Sequence, residues 1–177
     1  MAKQGFTLVE LLVVIAIIGL LSLAVLVNYR FGQKQFILQQ AANQLAQDLR
    51  LAENRAISTA ISTKELEEGY VVHGIKFEKG QETYQFISCS LSNINTCNEQ
   101  DDQVSLPAKV KILEFLPEGE NILIKFIPPD PKVVFQTENE EIEEITESEV
   151  QIVLSHKETS SEITVSVNKA GLIQIEK

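Results

Sequence analysis

One long apolar segment near the amino terminus constrains this chain more than any other feature. From Phe6 to Val27 the only ionisable residue is Glu10. As an α-helix rising about 1.5 Å per residue, this segment would extend roughly 33 Å, enough to cross the hydrocarbon core of a membrane. Lys3 and the α-amino group precede it, so we expect this short end to stay in the cytoplasm. The sequence therefore predicts a single-pass membrane protein whose C-terminal part is extracytoplasmic.

A cleaved secretory signal is the alternative interpretation of such a segment. Secretory signals have an apolar core of about 7–15 residues, followed by a cleavage site made of small residues. Here the apolar segment is longer, and no Ala-x-Ala site separates it from Asn28, Tyr29 and Arg30. We therefore expect the segment to be retained as an anchor.

The unusual residues are those that precede and open the apolar segment. Residues 3–12 read Lys-Gln-Gly-Phe-Thr-Leu-Val-Glu-Leu-Leu, which resembles the leader and first helix of type IV prepilins and type II secretion pseudopilins. The similarity extends to about residue 27. It is specific because it combines a basic leader, a Gly before Phe and a carboxylate four residues later. The resemblance implies that prepilin peptidase cuts between Gly5 and Phe6 and methylates the new amine, which makes residue 6 N-methylphenylalanine.

The resemblance also implies a function, a location and a set of partners. It implies a structural subunit of a type IV pilus-like or type II secretion filament, held in the bacterial inner membrane and without a cofactor. Its partners would be other pilin or pseudopilin subunits and prepilin peptidase, for which this chain is a substrate. The sequence leaves open whether the filament serves secretion, motility, adhesion or DNA uptake, and whether it reaches the cell surface.

Glu10 is the one carboxylate within the apolar segment. A carboxylate in a membrane-spanning helix is unfavourable by at least about 2.5–3.5 kcal/mol on insertion scales, so it needs a partner. Cleavage would create an amine on Phe6 at the start of the same helix, whose dipole also favours an acid in its first turn. Glu10 could bond its own amine or that of a neighbouring subunit, and the resemblance implies the second, which would drive assembly. The alternative is a shallow Glu10 that reaches the lipid headgroups.

Beyond the apolar segment the sequence pattern changes twice. From Ile37 to Ile57 apolar residues recur at a spacing of three and four without a proline, which predicts that the helix continues as an amphipathic half. After Thr63, runs of β-branched and aromatic residues bounded by turn residues predict antiparallel sheet. The expected strands cover residues 70–77, 83–87, 109–115, 121–127, 132–136, 150–154, 163–167 and 172–175.

These patterns together predict an α+β protein in which a long N-terminal helix packs on an antiparallel sheet. The expected parts are a cytoplasmic leader (1–5), a transmembrane half-helix (6–27), an amphipathic half-helix (28–62) and a β-rich extracytoplasmic domain (63–177). The segments 52–57, 124–126 and 163–173 resemble those of the H-type minor pseudopilins. Many major pilins carry a proline about where residues 25–28 stand, and its absence here favours a minor subunit.

The net charge of the C-terminal domain indicates which partners are disfavoured, and its two cysteines indicate a disulfide. The chain has a net charge of −10, and because Lys3 and Glu10 cancel, the part after residue 27 carries all of it. This charge disfavours nucleic acid and anionic lipid. Cys89 and Cys97 favour a disulfide in an exported domain over two free thiols.

Other candidate sites are weak. Seven glutamates lie between residues 138 and 149, but the stepped Asp, Asn and Gly of a calcium loop are missing, so we expect a solvated loop. His73 and His156 lack ligand spacing for a metal, and no nucleophile turn or phosphate loop occurs. We therefore do not expect a membrane-tethered enzyme; the alternative function is a minor pilin that binds DNA or a surface.

Overall fold

The computed structural model describes residues 7–63, 71–90, 93–128, 132–138 and 142–176. One helix, α1, runs from Leu8 to Thr63. Ten strands follow in the described part of the chain: β1 (Val71–Glu78), β2 (Thr83–Ser90), β3 (Asn93–Ser105), β4 (Val110–Leu116), β5 (Asn121–Ile127), β6 (Lys132–Glu138), β7 (Ile142–Glu144), β8 (Glu149–His156), β9 (Glu162–Asn168) and β10 (Ile173–Glu176).

The helix contributes to two compact units, Met1–Phe36 and Ile37–Lys177. In the first unit the large apolar side chains between Leu8 and Leu23 are exposed. Among the residues that the structure describes, no helix combines the length and the apolarity that crossing a membrane requires. In the second unit the helix is amphipathic, and this unit contains all ten strands.

The strands form two antiparallel sheets. The larger sheet has the order β3-β2-β1-β5-β6-β7, and the smaller has the order β10-β9-β8-β4. The turn between β1 and β2 links them, because the Gly80 amide donates to the Ile112 carbonyl (2.8 Å) and the Ile112 amide donates to the Gln81 carbonyl (2.9 Å). The α+β class is thereby confirmed: an N-terminal helix packs on antiparallel sheets.

One hydrophobic core joins the helix to the inner faces of both sheets. In β1 and β5 alternate residues point inward, as Ile75 and Phe77 do, because side chains of a strand alternate between its two faces. The helix contributes the residues at the three–four spacing read from the sequence, and all of these are buried: Leu38, Ala42, Leu45, Leu49, Ala52 and Ala56. The predicted amphipathic stripe is therefore confirmed for this half of the helix.

Polar contacts fix the helix against β2. The Tyr84 hydroxyl donates a hydrogen bond to Asp48 Oδ2, and Gln44 Nε2 donates to the Tyr84 oxygen (3.4 Å) and to the Ser105 carbonyl (3.1 Å). Burial, with the Asp48 carboxylate beside it, raises the pKa of Tyr84 far above its usual value. Further along the helix, the Arg55 guanidinium lies 4.8 Å from the centroid of the Phe86 ring.

Two glycines between consecutive strands have positive φ angles. Gly80, between β1 and β2, and Gly171, between β9 and β10, have φ values of +84° and +81°, a conformation that glycine adopts readily. The Asn168 side chain supports the second turn by accepting from the amides of Ala170 and Leu172, each at 2.9 Å.

Two strands were not predicted. Strand β3 occupies the polar segment around Cys97, which lacks the apolar alternation of a strand, and it pairs with β2 at the edge of the larger sheet. Strand β7 lies within the acidic segment 138–149, and Ile145 beside it is buried. The prediction of a solvated loop was therefore wrong for residues 142–145, because pairing with β6 and burial of one isoleucine hold them in the sheet.

Candidate processing and assembly site

The helix begins with a side-chain cap. Thr7 precedes the first helical residue, Leu8. The Thr7 hydroxyl oxygen accepts from the Glu10 amide (3.3 Å), and Glu10 Oε2 accepts from both the Thr7 amide and the Thr7 hydroxyl (2.9 Å each). This reciprocal pattern is a capping box, in which the N-cap residue and the residue three positions later satisfy each other's free amides.

The capping box gives Glu10 a partner that was not expected. The partners expected for its carboxylate were an amine on Phe6, from the same or a neighbouring subunit, and the lipid headgroups. Thr7 was missed, although the Thr-x-x-Glu spacing at residues 7–10 is itself the sequence signature of a capping box. Gly5 and Phe6, the predicted processing residues, lie outside the described residues.

The turns that follow the capping box present apolar side chains to the surroundings. Exposed fractions reach 78% for Leu8 and 70% for Leu20. The one hydroxyl in this stretch, on Ser22, donates to the Ile18 carbonyl at 2.8 Å and is satisfied within the helix. An exposed apolar surface of this extent marks a site of contact with other proteins or with lipid.

The two cysteines lie in the second unit, on the larger sheet, in a cluster separate from the main core. Cys89 of β2 and Cys97 of β3 are directly opposed in the antiparallel register, with 4.2 Å between their Cα atoms, and they form a disulfide. Cys89 packs in a small buried cluster with Val72, Ile87 and Leu123. The bond therefore attaches the polar edge strand to the sheet and to this cluster.

The two histidines both lie in strands of the β-rich unit, His73 in β1 and His156 at the end of β8. Burial, with the Arg55 charge nearby, lowers the pKa of His73. His156 is 2% exposed, and its Nδ1 accepts from the Glu158 amide at 3.2 Å. Within the described ranges no group of three His, Cys, Asp or Glu residues is arranged to hold a metal ion.

Comparison with known proteins gives one match. A family model described as the prokaryotic N-terminal methylation motif matches residues 1–26. No curated protein and no solved structure matches the chain. The matched residues include the predicted leader (1–5), the capping box and the first turns of α1. The motif supports the type IV pilin and pseudopilin families, and with them processing by prepilin peptidase, attachment to a membrane and a structural role beside other pilin subunits.

Proposed function

We propose that this chain is a minor subunit of a type IV pilus-like or type II secretion filament. The observation that carries the proposal is the methylation motif over residues 1–26, which coincides with an exposed apolar helix that has Glu10 in its first turn. Residues 6–27 would span the inner membrane, and the β-rich domain (63–177) would lie outside it. The loose resemblance to the H-type minor pseudopilins supports the finer assignment.

Two covalent steps would convert the chain to its mature form. Water adds across the Gly5–Phe6 amide, which leaves a carboxylate on the leader and a free amine on Phe6. A sulfonium methyl donor then transfers its methyl group to that amine, which loses a proton in the reaction. The resulting secondary amine is protonated at neutral pH, so a positive charge replaces a neutral peptide bond four residues before Glu10.

The new charge would connect processing to assembly. In an apolar medium an ion pair is attractive over several ångströms, whereas an isolated carboxylate is strongly unfavourable. A docked neighbour could supply its amine to Glu10 while its apolar helix covers the exposed side chains of α1. Assembly would then bury apolar surface and pair the carboxylate in the same step.

Mass spectrometry of the protein from its native membrane and from sheared filaments tests the proposal. We expect a mature chain that begins at a methylated Phe6 and is present in sheared filaments below the amount of the main subunit. A mature mass that still includes Met1–Gly5 would refute the processing step. Absence from filaments of a correctly processed chain would refute the structural role.

The Glu10 contribution is tested by Glu10→Leu in the full chain, with Val9→Leu as a control that adds an apolar group beside it. We expect both variants to insert into the membrane and only Glu10→Leu to lose filament incorporation. Normal incorporation of Glu10→Leu would show that the carboxylate does not drive assembly.

A further inference from the structure

Strand β3 is held to β2 by two short pairings rather than by one continuous ladder. Residues 103–105 and residues 97–99 each pair with β2, with a register irregularity between them. The helix supports the first pairing, because Gln44 Nε2 donates to the carbonyl of its last residue (3.1 Å). The second pairing is only three residues long and contains the bond between Cys89 and Cys97. The attachment of residues 97–99 therefore depends largely on this bond.

The two sulfurs of this bond lie in different surroundings. Strand β2 lies between β1 and β3 in the larger sheet, and Cys89 on it is 3% exposed. It packs with Val72, Ile87 and Leu123, the other buried members of the small cluster. Strand β3 is the edge strand, and Cys97 on it is partly exposed. A reagent from solvent therefore meets Cys97 before Cys89.

The same difference affects the reactivity of the two thiols before the bond forms. The thiolate is the nucleophile in disulfide exchange, and apolar surroundings disfavour its formation. Access to the sulfur limits the rate as well. Both effects slow Cys89, which the cluster encloses, more than they slow Cys97.

We propose that Cys97 is the thiol through which an oxidising enzyme introduces this bond, and that Cys89 completes it. The partner is an oxidase that works by thiol–disulfide exchange and carries a reactive disulfide of its own. This inference concerns the completion of the β-rich domain, and it holds whether or not the chain joins a filament.

The bond forms in two exchange steps. The Cys97 thiolate first attacks one sulfur of the enzyme's disulfide, which joins the chain to the enzyme and releases the enzyme's other sulfur as a thiolate. The Cys89 thiolate then attacks Cys97 Sγ, which closes the internal bond and releases the enzyme's remaining sulfur. Two electrons and the two protons of the chain's thiols pass to the enzyme, which leaves as a dithiol.

The geometry of the sheet favours this order. An enzyme joined to Cys97 would lie beyond the edge of the sheet, where no further strand pairs with β3 in the described part of the chain. Pairing of β3 with β2 then places Cys97 directly opposite Cys89, with 4.2 Å between their Cα atoms, and such proximity makes an intramolecular attack fast. An enzyme joined to Cys89 would instead displace the side chains around that sulfur and block the return of residues 97–99 to β2.

The test uses the reduced full chain in lipid nanodiscs, with glutathione disulfide as the probe. Cys89→Ala leaves only Cys97, and Cys97→Ala leaves only Cys89, because the chain has two cysteines. Since burial disfavours both thiolate formation and access, we expect Cys97 to capture glutathione at least about tenfold faster than Cys89. In urea, which unfolds the domain, the two rates should become similar.

The unmodified chain supplies a readout that does not depend on either variant. The reduced chain is mixed with glutathione disulfide and quenched with acid after short intervals, and peptide fragmentation then locates the glutathione. We expect the early product to carry it on Cys97 and to convert to the internal disulfide. In the Cys97→Ala background, Leu123→Ala should open the cluster and speed capture by Cys89, whereas Leu51→Ala, at an exposed helix position, should leave that rate unchanged.

Early glutathione on Cys89 of the unmodified chain, or on both cysteines equally, would overturn the assignment. Equal native rates for two single variants that keep the amide protection of β1 and β5 would overturn it as well; if a variant loses that protection, the unmodified chain decides alone. A difference in rate that persists in urea would also count against it, because local sequence rather than the fold would then be the cause. Faster capture by Cys97 that is lost in urea, with early glutathione on Cys97, supports the inference.

Discussion

Replacing Tyr84 by phenylalanine tests how the amphipathic half of the helix is attached to the β-rich domain. The Tyr84 side chain is 2% exposed, and its hydroxyl donates to Asp48 and accepts from Gln44. The ring also contacts Phe77, with 5.6 Å between centroids. Phenylalanine keeps this ring contact and the volume of the core, so the substitution removes only the hydrogen bonds.

The expected loss in the free energy of unfolding depends on whether Asp48 and Gln44 find other partners once the Tyr84 hydroxyl is removed. A hydrogen bond to a charged partner contributes about 1.5–3 kcal/mol. Asp48 is only half-buried, so water can rehydrate its carboxylate, and Gln44 keeps its bond to the Ser105 carbonyl (3.1 Å). We therefore expect the lower part of that range, a loss of about 1.5–2 kcal/mol in the free energy of unfolding.

Urea denaturation of the fragment 29–177 measures the loss, since this fragment contains both hydrophobic clusters. Asp48→Asn and the double variant complete a double-mutant cycle, whose coupling energy isolates the pair. We expect a coupling of about 1 kcal/mol or more. A coupling near zero, or a loss below about 0.5 kcal/mol for Tyr84→Phe, would contradict the contact, because removal of a buried hydrogen bond normally exceeds that value.

The stability difference between the unmodified fragment and Tyr84→Phe should depend on pH in the alkaline range. Burial beside Asp48 raises the pKa of Tyr84 in the folded state, while the unfolded value is about 10. The stabilisation is therefore complete below pH 10 and is lost as the pH rises above it, since the unfolded chain ionises first. At pH 11 the advantage of the unmodified fragment over Tyr84→Phe should shrink by about 1.4 kcal/mol. An advantage that stays constant from pH 8 to pH 11 would contradict the raised pKa.

Three further predictions concern packing and the disulfide. Leu49→Ala, at a fully buried position, should lower the free energy of unfolding of fragment 29–177 by about 2–5 kcal/mol in urea. Leu51 lies two residues away and is 42% exposed, so Leu51→Ala should change that free energy by less than about 1 kcal/mol. Equal effects of the two variants would contradict the orientation of the helix. Gly74→Ala should lower the melting temperature, because the added Cβ would lie 2.3 Å from a carbonyl oxygen of β5; an unchanged melting temperature would contradict that close approach. Replacing Cys89 and Cys97 together by Ala should destabilise the fragment by about 2–4 kcal/mol and speed amide exchange most in β3; uniform exchange would contradict attachment of the edge strand through this bond.

The sequence predicted those parts of the fold whose residues repeat with a regular period. The helix stripe from Leu38 to Ala56 and eight of the strands were recognised because apolar side chains recur at the spacing of a buried face. Strand β3 has no such alternation, since it lies at the edge of the sheet and is held by backbone pairing with β2 and by the Cys89–Cys97 bond. Its existence depends on contacts that are made only in the folded domain.

The candidate site and the polar contacts of the fold also differ in how well the sequence predicts them. The residues that the sequence predicted for processing and assembly lie within a few positions of one another, so a linear motif contains them. The Tyr84–Asp48 hydrogen bond joins residues 36 positions apart, and no local pattern marks either partner. The capping box is intermediate: its spacing is local, but whether Thr7 and Glu10 bond each other is decided only by where the helix begins.

Under the proposed function, Glu10 has two partners in succession. Before cleavage the Thr7 amide and hydroxyl satisfy its Oε2 atom, and these are neutral donors on the same helix. After cleavage the proposed amine on Phe6 offers a charged donor, and charge-assisted hydrogen bonds are about twice as strong as neutral ones. Under the proposed function, Thr7 keeps the carboxylate hydrogen-bonded in the precursor, and cleavage supplies the stronger, charged donor that assembly needs.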